Sequence, residues 1–203
     1  SNNSWAFWYN STVLKFSYSS NGSADNTAVQ ATWDPAANTW YHVAVMRRGT
    51  VTYLFVDGVL LAQTTVTTLT NTNRTAEVRI GAFATAASEL PFNGWIDQVR
   101  ITLGHGRYQP FGFVVPTAAH PQLPGGDLFQ DESVNGFLIS GVNDPVLSAA
   151  QAKFGTTSLL LNGTDQYMTI PDSGVFEFAA NDFTVEAQVR FTSLPTAGNL
   201  MTL

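Results

Sequence analysis

Nowhere does this chain repeat an apolar residue every three or four positions for the length of a helix; short runs of extended character take the place of helices throughout. The runs Trp5 to Tyr9, Thr12 to Tyr18, Thr27 to Trp33 and Trp40 to Arg48 are rich in aromatic and β-branched residues and are bounded by Asn, Gly, Ser or Pro, which is the pattern of strands. Asp57-Gly58 stands between Leu54-Phe55-Val56 and Val59-Leu60-Leu61, and that dipeptide takes the positive φ values a tight hairpin demands. It predicts a hairpin across Val51 to Gln63. Further strands are predicted over Ala76 to Ala82, Gly94 to Thr102, Phe137 to Ser140, Thr157 to Asn162, Tyr167 to Pro171 and Phe183 to Phe191, with one helical turn over Ala149 to Phe154. Within Gly94 to Thr102 the alternation puts Trp95, Asp97, Val99 and Ile101 on one side, Asp97 being the odd member. About a dozen short strands without a sustained helix predict a two-layer antiparallel β-sandwich.

Composition narrows the function classes. With 44% hydrophobic and 12% charged residues the chain is neither a disordered tail nor a helical bundle. A net charge of −6, with nine scattered Lys and Arg, gives no footprint for a phosphate backbone, so nucleic acid is not an expected partner. No apolar run approaches the roughly 20 residues that cross a bilayer, and no signal peptide is evident, so no membrane is expected either. The absence of Cys excludes disulfides, thiol chemistry and Cys-ligated zinc, and leans toward a microbial or viral product. Sequons occur at Asn2, Asn10, Asn21, Asn73 and Asn162, and they matter only in a host that glycosylates. Between Leu103 and Gly126 the strand pattern dissolves into Gly, His and Pro, which places a boundary near Pro116 to Gly126. The chain begins without Met and stops inside the apolar run Leu200 to Leu203, so both ends read as cuts from a longer polypeptide.

Catalytic patterns are sparse. Glycoside hydrolysis needs paired carboxylates about 5 to 9 Å apart. No Glu-x-Asp-x-Glu run is present; Asp182 and Glu186 are the one pair weighed for a shared strand face, against the plainer reading of solvated surface. His42, His105 and His120 are the histidines available to a nucleophile, yet no Gly-x-Ser-x-Gly elbow presents a Ser. His42, inside an apolar strand, reads as a packed core histidine, and the other two lie in loops. Five Trp and six Tyr supply flat apolar faces of the kind on which sugar rings stack. Trp5, Trp8, Trp33 and Tyr18 lie in or beside loops and are the candidates, although most such aromatics in a sandwich fill the core.

The block Asn38-Thr39-Trp40-Tyr41-His42-Val43-Ala44-Val45, followed by Arg48-Gly49, Leu54-Phe55-Val56-Asp57-Gly58, Ile80-Gly81 and Phe92-Asn93-Gly94-Trp95-Ile96-Asp97-Gln98-Val99-Arg100-Ile101, resembles the second half of a laminin G-like domain. The later block, Lys153-Phe154-Gly155, Ser158 to Gly163, Tyr167 to Pro171 and Asp182 to Glu186, resembles that family's first half, so the halves stand in shifted order. The chain then divides into 1–118, the C-terminal portion of such a domain, a linker at 119–128, and 129–203, the N-terminal portion of the next copy or of the same copy permuted. The resemblance implies an all-β jelly roll of concanavalin A-like fold, and the Arg107-Tyr108 element is most similar to repeats of phage tail and virion-fibre proteins. It also implies one structural calcium ion, held by Asp97 with backbone carbonyls around Gly163 and Asp165 and near Asp131. The plainer reading has Asp97 accepting hydrogen bonds from neighbouring backbone. Expected, therefore, is a non-enzymatic carbohydrate-binding or structural module at an extracellular or virion surface, such as a phage fibre or capsid decoration. Its partners would be glycans, cell-surface polysaccharide, or neighbouring copies and other subunits of the same assembly. The alternative is a glycoside hydrolase or lyase of the same fold using Glu186 and Asp182; a purely architectural repeat is the third reading.

Overall fold

The structure is a computed structural model and describes residues 4–21, 25–70, 77–84, 89–119, 131, 133–194 and 198–202. In chain order its strands are β1 (Trp5–Asn10), β2 (Val13–Tyr18), β3 (Asn26–Thr32), β4 (Trp40–Arg48), β5 (Val51–Val56), β6 (Val59–Thr65), β7 (Val78–Ile80), β8 (Ala82–Ala84) and β9 (Glu89–Pro91). They continue as β10 (Asn93–Leu103), β11 (Ser140–Val142), β12 (Val146–Ser148), β13 (Ser158–Asn162), β14 (Tyr167–Ile170), β15 (Phe183–Phe191) and β16 (Gly198–Thr202), with a single 3-10 turn at Gly174–Phe176. The first sheet runs β11-β14-β7-β16-β1-β2-β3, the second runs β12-β13-β10-β15-β4-β5-β6, and β8-β9 form a small ribbon. This is the antiparallel sandwich that the alternation predicts.

β15 lies between β4 and β10, and β16 lies between β1 and β7. Strands from 1–118 and from 129–203 are thus interleaved in both layers and share one core. Most of the 119–128 linker, and His120, lie outside the described residues. At one end of the core Trp5, Phe16, Phe178 and Phe183 pack ring on ring, and at the other Tyr9, Trp33, Phe92 and Phe191 do so. Each fully buried Phe contributes about 1.5–3 kcal/mol by leaving water.

Four local readings are corrected. The strand expected over Ala76 to Ala82 breaks at Gly81, whose φ of +89° and 2.1 Å approach of a would-be Cβ to Leu161 Cδ1 tolerate no side chain, so Ala82 starts the separate ribbon. In β10 an extra residue sits between the pairs Asp97↔Gln188 and Arg100↔Glu186, with Gln98 at φ +51°. That bulge moves the side chains by one face: Ile96, Val99 and Ile101 pack on the core, whereas Asp97 shares the opposite face with Trp95 and Arg100. Of the strand expected over Phe137 to Ser140 only Ser140 joins β11, because the Phe137 amide is taken by Asp131 Oδ2 at 2.8 Å. The helical turn expected over Ala149 to Phe154 is irregular loop; the amides of Lys153 and Phe154 bond to the Asp97 side chain rather than to preceding carbonyls.

Candidate functional site

The alternation of β1 sends Trp5, Phe7 and Tyr9 into the core and leaves Trp8 and Asn10 on the outer face of the first sheet. On β2 the same rule buries Leu14 and Phe16 and turns Lys15 outward. Register does the rest: Trp8 pairs with Lys15 and Lys15 with Gln30, so an indole, an ammonium and an amide form one row across three strands. The row opens into a groove of about 370 Å³ that is completed by Asn10 and the turn at 11–13. Trp8 is half-buried, its Nε1 donates to Ser17 Oγ at 3.3 Å, and the Phe83 ring stands alongside with centroids 6.3 Å apart. Lys15 Nζ lies 5.1 Å from the indole centroid, within the range of a cation–π contact. An oriented aromatic face, bordered by amides, a hydroxyl-bearing turn and one cation, can stack an apolar ring face and hydrogen-bond its substituents.

The outer face of the second sheet is built differently. After β10 the chain crosses it as a strap, fastened where Arg107 N donates to Thr184 Oγ1 at 3.0 Å and Phe113 N to Gly58 O at 2.9 Å. Gly58 has φ +75°, and a Cβ there would meet the Phe113 carbonyl at 2.0 Å, so the strap closes only over glycine. Tyr108 and Phe113 stack at 3.5 Å and cover Ala44, Met46, Tyr53 and Phe55. Beneath them Glu186, fully buried, accepts from Arg100 and from the Tyr108 hydroxyl and lies 3.1 Å from His42 Nε2. Burial would raise the Glu186 pKa, but the hydrogen bonds from His42 and Tyr108 together with the Arg100 charge outweigh it and hold the carboxyl below its ordinary value. Burial, then the Glu186 charge, pushes the Tyr108 phenol well above its ordinary value.

A model of the concanavalin A-like lectin/glucanases superfamily, laminin G-like in name, matches residues 1–103. The chain belongs to this superfamily. No curated protein and no solved structure matches it.

Glycosidases and lectins both occur within the bounds of the superfamily's printed name, so the acids of this lectin/glucanase chain bear on its chemistry. Asp182 precedes β15, and its Oδ1 accepts from Gly49 N at 2.7 Å. Four residues of extended chain span about 13 Å, beyond the about 5–9.5 Å that glycosidase carboxylates need. The backbone positions of Asp182 and Glu186 are thus further apart than that, and Glu186 is fully buried rather than solvated surface. His42 is buried as expected, but beneath the strap rather than between the sheets, and His105 is exposed.

The aromatic candidates separate. Trp5 is 1% exposed and donates Nε1 to Phe176 O at 3.0 Å, so it is a core residue and not a platform. Tyr18 and Trp33 pack against the core at opposite ends of the β2–β3 hairpin, Tyr18 with its hydroxyl on Thr68 O at 3.2 Å and Trp33 edge-on to Tyr9 and Tyr41. Trp8 alone of the four stands in the groove. Asn10, Lys15 and Gln30 were not singled out as ligand-binding from the sequence; the strand alternation that buries Trp5, Phe7 and Tyr9 was the signal that could have found their face.

The acidic side chains that the superfamily resemblance places at or near a calcium ion each face other partners in this structure. Asp97 Oδ2 accepts from the amides of Lys153 and Phe154 at 3.0 and 3.1 Å, and Oδ1 from Gln98 Nε2 at 3.2 Å. Asp131 caps its own turn through Ser133 and Phe137, Asp165 Oδ1 accepts from Asn162 Nδ2 at 2.9 Å, and Gly163 abuts Asn93. Among the described residues no three acidic or imidazole side chains are placed to hold a metal ion. Oxygens already facing N–H donors do not fit a hard cation that seeks six to eight oxygens. Asp97→Ala is expected to cost about 1 kcal/mol in urea unfolding, since two partly buried amides lose their acceptor. A stabilisation of the unmodified chain by millimolar calcium that disappears in Asp97→Ala would restore the calcium reading.

Proposed function

We propose that this chain is a non-enzymatic glycan-binding module in which Trp8 is the stacking platform. The observation that carries the reading is the row Trp8–Lys15–Gln30 on the outer face of the first sheet, where a large aromatic that the core does not need is held in a groove with polar walls. Sugar rings pair an apolar face with an equatorial rim of hydroxyls, and that is the complement of an indole bordered by amides. The absence of catalysis is supported by the sealing of Glu186 under the strap and by the distance between Glu186 and Asp182 along the chain. The resemblance of the Arg107-Tyr108 element to repeats of phage tail and virion-fibre proteins favours an extracellular or virion-surface assembly, such as a phage fibre, as the setting. The test is a glycan array followed by calorimetry. Trp8→Ala is expected to weaken the captured glycan at least about tenfold, roughly 1.4 kcal/mol, while the melting temperature changes little. Unchanged affinity in Trp8→Ala, or reducing-sugar release that Glu186→Gln abolishes, would overturn the proposal.

A further inference from the structure

We infer that the groove selects anionic sugars, those carrying a carboxylate or sulfate, and that Lys15 is the selecting residue. The inference rests on the glycan-binding reading and names its ligand class. The groove is lined by Trp8, Lys15, Gln30, Asn10 and the turn at 11–13, and none of these is acidic. Among the described residues Lys15 has no carboxylate partner, whereas Arg79 is paired with Glu77 and Arg100 with Glu186. The cation–π contact at 5.1 Å holds its ammonium beside the platform, so a ring stacked on the indole brings its substituents against Nζ.

The selectivity follows from desolvation. A neutral sugar on Trp8 strips water from the ammonium and returns only hydroxyl dipoles, whereas an anionic substituent replaces the lost hydration with a charge-assisted hydrogen bond. The chain as a whole is acidic, with 15 Asp and Glu against nine Lys and Arg. Its repulsion does not reach far, because the Debye length at physiological salt is about 8 Å. Lys presents a point charge rather than the planar fork of Arg. The site therefore recognises the charge and not the geometry of the anion, and carboxylate and sulfate are both within the class.

Calorimetry with three oligosaccharides of equal length tests this: an oligogalacturonate, a sulfated galacto-oligosaccharide and a neutral galacto-oligosaccharide. The intact chain is expected to bind at least one acidic ligand about tenfold or more tighter than the neutral one in low salt, with the advantage shrinking as salt is raised to about 500 mM. Lys15→Gln should remove the advantage of the acidic ligand over the neutral one. Which acidic arm shows the preference identifies the anion. Equal affinities in the intact chain, or a preference that survives Lys15→Gln, overturn the inference. If the neutral sugar still binds and Trp8→Ala still abolishes that binding, the glycan-binding reading stands without it. No binding of any of the three, with no hit on the array, overturns both.

Discussion

Arg100→Met is expected to lower the unfolding free energy by about 3–5 kcal/mol at neutral pH, because it leaves the buried Glu186 carboxylate without its counter-charge. Glu186 is 0% exposed, so water cannot replace the lost partner. The Arg100 side chain reaches solvent, with 24% of its surface exposed, so the cost resides in the stranded acid rather than in the removed base. Urea unfolding reads the loss, and the double replacement Arg100→Met with Glu186→Leu should recover much of it by removing the charge as well. A single-replacement cost below about 1 kcal/mol would place this pair among surface ion pairs.

The same cluster sets the pH dependence. Glu186 has a folded pKa below its ordinary value of 4.5, so its contribution is present above that value and is lost as pH falls through the folded one. Tyr108 has a folded pKa raised above its ordinary value of 10.0, so its contribution is intact below pH 10 and is lost as pH rises beyond it. Thermal melts across the range should therefore show a plateau between two falling limbs. Glu186→Gln should flatten the acid limb.

Trp5→Ala is the second large effect, again about 3–5 kcal/mol, here from an unfilled core volume. The indole is stacked on Phe178 with centroids 4.9 Å apart and anchors the 3-10 turn through the Phe176 carbonyl. Trp5→Phe keeps most of the apolar area but leaves that carbonyl unpartnered, a cost of about 1–3 kcal/mol. The contrast with Trp8 is diagnostic: two tryptophans three residues apart on one strand, one expected to move stability and the other affinity. Loss of glycan binding in a folded Trp5→Phe chain with Trp8 intact would show that the platform is misplaced.

The sandwich was legible because short runs rich in aromatic and β-branched residues and bounded by turn formers mark extended chain, as in the runs around Trp5, Phe16, Val45 and Val185. The Asp57-Gly58 turn was legible because its φ values of +48° and +75° are a local demand on the residue type. Errors fell where a local pattern met a distant partner. Gly81 looks like any strand glycine until Leu161 arrives beside it, and the β10 bulge at Gln98 leaves no mark in the alternation that precedes it.

By itself the sequence determined the all-β class and the Asp57-Gly58 turn, since these depend only on neighbours one or two residues away, and it left Trp8 undistinguished among four aromatic candidates. The tertiary structure decided the row that Trp8 makes with Lys15 and Gln30, the interleaving of β15 and β16 among the earlier strands, and the joining of His42, Arg100, Tyr108 and Glu186. Strand register and the crossing of the strap set these, and both are fixed by the packing of residues far apart in the chain, 144 positions in the His42–Glu186 contact. No local propensity encodes a partner at that separation; only burial in a shared core selects it.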